Sequence, residues 1–313
     1  MALLLQYTLI YASVLLLVAL GGCFSEHSGV INLGLEGIMV MGALGGALVM
    51  KSMADLPALL MIVAVVFGSV LFGVVYSLLL AVAAIHLKAD QTLVGTAMNL
   101  LGTAAATVFV KALNMAEDAG NVSSSIQYIE QKKAFSLLKI GNFELSWFMV
   151  LAVALLVISH VVLYHTKFGL RLMACGEHPQ AADSVGINVY KMRYAGVLIS
   201  GMLGGIGGIV YITAGVSEWK FENGVAGFGF LALAVMIFGQ WKPGLIAMAA
   251  VLFGLFRALS NVYSGFDVLA ALPLPSTLYN MFPYMISLLV LAVFSGNSRA
   301  PKAEGIPYDK GKR

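Results

Sequence analysis

The sequence predicts an all-α integral membrane protein of about nine (eight to ten) transmembrane helices. Two observations carry this reading. Hydrophobic residues make up 60% of the chain and charged residues 11%, with a mean hydropathy of +0.93, more apolar surface than a soluble core can use. Apolar runs of about 20 residues, the length that crosses a hydrocarbon layer, recur along the whole chain. The 313 residues hold one membrane domain over 1–296 and a tail over 297–313, so the usual count of soluble domains by length does not apply.

The first apolar segment, 3–23, lacks the basic start of a cleavable signal and is read as retained. Its Leu20-Gly21-Gly22-Cys23 loosely matches a lipoprotein cleavage box. No basic region precedes it and more spans follow, so small residues at a helix contact are the simpler explanation. The second, third and fourth segments are 30–50, 57–85 and 91–111. The loop 112–144 is polar and the longest; its Asn121-Val122-Ser123 is a glycosylation pattern only in a secretory eukaryote. The fifth segment is 145–164. A polar stretch, 165–193, follows, and within it Pro179 to Ser184 has the make-up of a short surface helix, with proline at its start and Gly186 after its end. The sixth, seventh and eighth segments are 194–214, 227–240 and 243–262. Residues 265–277 are apolar but interrupted by Pro273 and Pro275, and are expected to form a re-entrant or broken helix. The ninth segment is 278–295, and the tail is expected to be disordered at its end.

Lysine and arginine placement sets the orientation. If all nine segments cross, the side bearing 165–193 and the tail holds eleven cations against six acids, and the other side six lysines against eight acids. That makes 165–193 cytoplasmic and places the N-terminus outside. The net charge of +3 is spread over loops and tail and points to no nucleic-acid partner.

One internal echo stands out. Gly29-Val30-Ile31-Asn32-Leu33-Gly34-Leu35 opens the second segment and Gly224-Val225-Ala226-Gly227-Phe228-Gly229-Phe230 opens the seventh. In this orientation the two run in opposite directions, as in an inverted-topology repeat with substrate passing near the midplane. The small-x-x-x-small spacings Gly42/Gly46, Gly201/Gly205 and Gly204/Gly208 are ordinary close helix packing.

Few groups inside the spans carry chemistry. Glu36 is the one acid within an apolar run, and an ionised carboxylate there is costly unless paired or wet. It shares a helix face with Asn32, four residues back. It either lines a transport path or bonds backbone at a helix break. Asn99 is a mid-span amide with interhelical bonding as its default role and substrate contact as the alternative. Arg257 sits about two-thirds along its segment, where snorkelling to the near interface is expected. Phe228, Phe230, Trp219 and Trp241 flank the seventh segment as interface anchors or as rings facing a cavity. The tentative substrate path is Asn32, Glu36, Asn99, Phe228 and Phe230. No phosphate loop, zinc spacing or nucleophile–base set occurs, and the histidines mostly mark span ends, so no catalytic role, metal or cofactor is assigned to this chain. The two cysteines, Cys23 and Cys175, form no framework.

Four pieces, in order, resemble one family: Ser28-Gly29-Val30-Ile31-Asn32-Leu33-Gly34-Leu35-Glu36-Gly37; Ala89-Asp90-Gln91-Thr92-Leu93-Val94-Gly95-Thr96-Ala97-Met98-Asn99; Gly176-Glu177-His178-Pro179-Gln180-Ala181-Ala182; and Gly186-Ile187-Asn188-Val189 leading to Ser200-Gly201. They are similar to bacterial ABC-importer permeases of the branched-chain amino acid, simple-sugar and nucleoside group, nearest the nucleoside and simple-sugar branch. The resemblance implies a permease of the bacterial plasma membrane, paired with a second, often non-identical permease. It implies a cytoplasmic ATPase pair that consumes the ATP and an external lipid-anchored binding protein that delivers substrate. It also implies an ATPase coupling loop at Gly176, Glu177, Pro179, Ala181, Ala182, Gly186 and Ile187. A sugar or amino-acid permease is the alternative within transport. An ion-coupled secondary transporter would need more intramembrane titratable groups than Glu36.

Overall fold

The computed structural model describes residues 2–128, 131–140, 143–214, 218–262, 276–294 and 300–311. The proposed re-entrant stretch at 265–277 lies outside them except for its last two residues, which open the final helix. Eleven α-helices are described: α1 (Ala2–His27), α2 (Leu35–Ser52), α3 (Ala58–Ala81, extended by a π-helical turn Val82–His86), α4 (Gln91–Glu117), α5 (Trp147–His165), α6 (Lys167–Glu177), α7 (Pro179–Ser184), α8 (Val189–Thr213), α9 (Phe228–Phe238), α10 (Pro243–Val262) and α11 (Ser276–Phe294). Four short strands, which the all-α reading does not include, lie between helices: β1 (Ser125–Gln127), β2 (Ser136–Ile140), β3 (Phe143–Ser146) and β4 (Glu218–Lys220). They pair antiparallel as β1–β4 and β2–β3, which closes the long loop against the bundle.

Two ends of the bundle are distinct. At the loop end, the Gly176 Cα packs against the His27 carbonyl, and the His27 ring Nε2 is 3.0 Å from the Trp241 carbonyl. At the strand end, Lys51 pairs with Glu117 at 2.8 Å and the Asn114 amide donates to the carbonyls of Ser123 and Ser125 at 3.0 and 2.9 Å. Relative to these anchors, α1, α3, α5, α9 and α11 run toward the loop end, and α2, α4, α8 and α10 run away from it. Among the described residues nine helices thus run between the two ends, consistent with the hydropathy, and the first starts at the end opposite the tail. Seven of the helices are long and apolar enough to cross on their own; α9 has only 11 residues, about 16 Å of helix, and needs the irregular segment before it to complete its passage.

Helices α1, α2 and α8 form the centre, while α3, α4, α5 and α10 turn rows such as Leu59, Val63 and Phe67 outward. An exposed apolar row is what a lipid-facing helix requires. The central contacts are backbone to backbone. A Cβ on Gly42 would overlap the Cα of Gly205, and one on Gly208 would overlap the Met39 carbonyl oxygen, so α2 and α8 approach to a distance only glycine permits.

Four of the helices that start at the bundle ends supply their own cap. Asp90 accepts from Leu93 N–H at 2.9 Å, Ser146 from Phe148 N–H at 3.2 Å, Thr166 from Gly169 N–H at 3.2 Å and Asn188 from Lys191 N–H at 3.0 Å; each satisfies one of the free N–H groups of a first turn.

The tail's very end, where disorder is expected, lies outside the described residues; the part before it is ordered. Residues 300–311 are folded against the loop end: the Ala303 N–H donates to the Gly176 carbonyl at 2.8 Å, Tyr308 is buried edge-on to Tyr190, and Asp309 pairs with Lys88 at 3.1 Å. Contacts from these three separate segments offset the chain entropy of ordering this stretch. Arg193, counted among the water-facing cations, is buried beneath it.

Candidate functional site

Two helices begin inside the bundle, and neither has a cap of its own. The N-caps of α2 and α9 are Gly34 and Gly227, without side-chain hydrogen bonds. Before α2, residues 28–34 leave the loop end as irregular chain and enter the bundle beside α8. Before α9, residues 221–227 enter from the strand end, and Gly224 reaches Thr103 on α4. The irregular segments therefore arrive from opposite ends, and the α2 and α9 N-termini meet in the interior. The sequence echo marks these two places.

Free N–H groups at a helix start inside hydrocarbon are costly unless bonded, and each start borrows its acceptor from elsewhere. Asn99 on α4 accepts from Gly37 N–H at 2.9 Å and donates to the Leu33 carbonyl at 2.8 Å, closing the start of α2. Glu36, in the first turn of α2, spans the start of α9. Its Oε1 accepts from Gly227 N–H and its Oε2 from Gly229 N–H, both at 2.7 Å. A carboxylate at a helix N-terminus meets both the free donors and the positive end of the helix dipole. Asn32 turns back to its own chain, accepting from Gly34 N–H at 3.1 Å and donating to Ser200 Oγ at 2.8 Å. Of the two readings of Glu36, the geometry shows the one that bonds backbone at a break, and the break belongs to a different helix.

Rings surround this junction. Phe228 is fully buried, 4.4 Å from Tyr211 and 5.5 Å from Tyr11 between ring centroids; Tyr211 meets Trp219 edge-on at 5.4 Å. Phe230 points the other way and is 51% exposed, since two residues on a helix are turned by about 200°. The structure thus brings Asn32, Glu36, Asn99 and Phe228 together and separates Phe230 from them. Arg257 does not snorkel. Its guanidinium carbon lies 5.4 Å from the Phe228 ring and 5.9 Å from the Tyr11 ring. Trp241 is buried and donates to Glu26 at 2.5 Å, so it is no interface anchor. Tyr11 and Tyr211 escaped sequence reading because a tyrosine in an apolar run looks like any core ring.

At the loop end, α7 matches the predicted Pro179–Ser184 helix, with Pro179 in its first turn and Gly186 at φ +84° after it. Gly176, Pro179 and Ala182 face inward, whereas Glu177, Ala181 and Gly186 are exposed. Ala182 packs with Cys175, Val189 and Tyr308. Val185, not picked out by sequence, is the most exposed apolar side chain here at 76%.

A nine-pass bundle whose two interrupted helices meet head to head in its interior defines a membrane permease. Residues 4–292 match the family described as branched-chain amino acid transport system / permease component, and the chain belongs to it. It is a multi-pass integral protein of the plasma membrane. It is 40% identical over 314 residues to the guanosine ABC transporter permease protein NupQ of Bacillus subtilis strain 168, covering 98% of this chain and 96% of that one. It is 39% identical to the nucleoside ABC transporter permease protein NupC of Lactococcus lactis subsp. cremoris, covering 97% and 96%. A second permease of that strain, NupB, is 24% identical over 255 residues, covering 78% and 68%.

Proposed function

We propose that this chain is one of two non-identical permease subunits of an ATP-driven importer of nucleosides. Its near-complete alignment with permeases named for guanosine and for nucleosides supports this reading. The similarity to both NupC and NupB of one organism supports a hetero-paired permease. ATP is consumed by a cytoplasmic ATPase pair, and an external lipoprotein hands over the substrate.

In this reading the loop end is cytoplasmic, and the ATPase grips the exposed side of α7, Ala181, Val185 and Gly186, flanked by Glu177 and Ile187. The buried side, Gly176, Pro179 and Ala182, transmits the movement into the bundle. It has a short route: Gly176 packs on the end of α1 and holds the tail, and the tail's Gly305 lies against Ile31 in the first break. A rigid-body shift of α7 therefore reaches the segment leading into α2, and through Glu36 the start of α9. The substrate passes beside Asn32, Glu36, Asn99 and Phe228, where displacement of either helix start changes the opening.

The test is uptake in proteoliposomes carrying the complete four-part transporter. Labelled nucleoside accumulates against its gradient only with ATP inside, and excess pentose or leucine does not compete. Accumulation without the ATPase would refute the reading. Gly186→Val places a branched residue at positive φ, and Ala181→Trp enlarges the contact surface. Both variants should insert normally yet lose at least tenfold in substrate-stimulated ATP hydrolysis.

A further inference from the structure

The nucleoside reading leaves Arg257 without a role, and the geometry gives it one. It is the only cation well inside a span, where a charge is costly unless it serves a partner. Among the described residues no carboxylate forms an ion pair with it, and its Nε is buried without a hydrogen-bond partner. The residue is partly exposed and is held over Phe228 and Tyr11 at cation–π distance. Asn261, one turn further along α10, bonds the Tyr11 hydroxyl and fixes that ring. Phe228 is the first residue of α9, beside the Glu36 cap. The guanidinium is therefore backed by rings, short of hydrogen bonds and placed where the two helix starts meet.

Resting on the nucleoside reading above, we propose that Arg257 recognises the base of the passing nucleoside and favours bases with two neighbouring acceptors on one edge. A guanidinium presents two parallel N–H donors in a rigid plane. The O6 and N7 of a 6-oxopurine accept both; adenine offers one acceptor and one donor there. The Tyr11 and Phe228 rings supply faces for the flat base once α9 moves. Lysine keeps the charge and most of the length but lacks the fork, so it separates recognition from bracing.

The experiment uses the complete transporter in proteoliposomes, with wild type and Arg257→Lys. Initial uptake of guanosine, inosine and adenosine is measured with one and the same binding protein, whose own preference cancels in the variant-to-wild-type ratio. The expected ratio is about tenfold lower for guanosine and inosine than for adenosine. Equal ratios for all three would overturn the proposal and leave Arg257 a brace between α10 and α1. If the variant fails to assemble, the wild-type transporter at saturating, fully loaded binding protein decides. 7-Deazaguanosine, lacking the N7 acceptor, should then move about tenfold more slowly than guanosine; equal rates would overturn the proposal. Failure of the wild type to move any nucleoside would instead remove the nucleoside reading, and this inference with it.

Discussion

The two breaks share a plan and differ in how firmly they are held. The segment 28–34 and helix α2 are clamped along their length. Gly42 and Gly208 put α2 on α8, Gly37 and Gly102 put it on α4, and Gly45 and Gly68 put it on α3. The tail presses on Ile31 from the loop end. By contrast, α9 is 11 residues long and exposes Phe230; its start is held by the Glu36 carboxylate, by the close approach of Gly229 to the Glu36 backbone and by the Tyr284 hydroxyl on the Ala226 carbonyl. Close-packed backbone has few alternative arrangements, whereas a helix start held by two charge-assisted hydrogen bonds is released when their acceptor is lost. We infer that the first break, clamped on three helices, serves as a frame and that the second, with fewer such clamps, is the part that shifts.

The contrast is tested most severely at the frame. Gly208→Leu forces a side chain into the Met39 carbonyl, and nearby backbone cannot yield. Destabilisation of more than about 3 kcal/mol is expected, seen as loss of monodisperse protein on size-exclusion chromatography. Folded protein at wild-type yield would show that α2 and α8 are not clamped.

The movable element should respond differently. Glu36→Gln keeps one acceptor and turns an amide N–H toward a backbone donor, at a cost of about 2–4 kcal/mol for the lost charged bonds. The expected result is a protein that still assembles, with uptake reduced at least tenfold and faster hydrogen exchange confined to 225–232. Protection unchanged there, with uptake intact, would mean the carboxylate does not hold α9. The matching change at the frame, Asn99→Leu, unpairs the Gly37 N–H and the Leu33 carbonyl for about 1–3 kcal/mol. Because glycine contacts still hold α2, uptake should fall less than for Glu36→Gln. The reverse order would invert the assignment of frame and moving part.

The smallest effect belongs to the tail. Desolvation lifts the half-buried Glu304 carboxyl to about 7 from the usual 4.5, against the hydrogen bond with Glu26, which lowers it. The docked tail thus holds a proton that a released tail gives up. Docking is fully favoured below about pH 4.5, weakens as pH rises toward 7, and is level above. Proteolysis within 300–311 should accelerate a few-fold from pH 5 to 8, and Glu304→Gln should flatten the profile. A wild-type rate independent of pH would remove the carboxyl pair from tail docking.

Patterns that depend only on near neighbours were legible in the sequence. Hydrophobic runs located the membrane helices, because most spans must cover the hydrocarbon by themselves. Proline and glycine at 179 and 186 fixed α7, and the glycine spacings fixed where helices touch. The echo at 29–35 and 224–230 pointed to both breaks, because these helix starts within the bundle leave glycines where α4, α5, α6 and α8 have Asp, Ser, Thr and Asn.

What the tertiary structure decided is which distant group answers each local need. Glu36 reads as an isolated acid, yet its partners lie 191 and 193 residues away. Arg257 reads as a snorkelling cation until Tyr11 and Phe228 are placed beneath it, and the tail reads as loose until Gly176, Ile31 and Lys88 meet it. A sequence records that a charge or an open helix end exists inside the membrane and must be satisfied. Only the packed bundle fixes what satisfies it, because hydrogen bonds and ring contacts act over a few ångströms of space and are indifferent to separation along the chain.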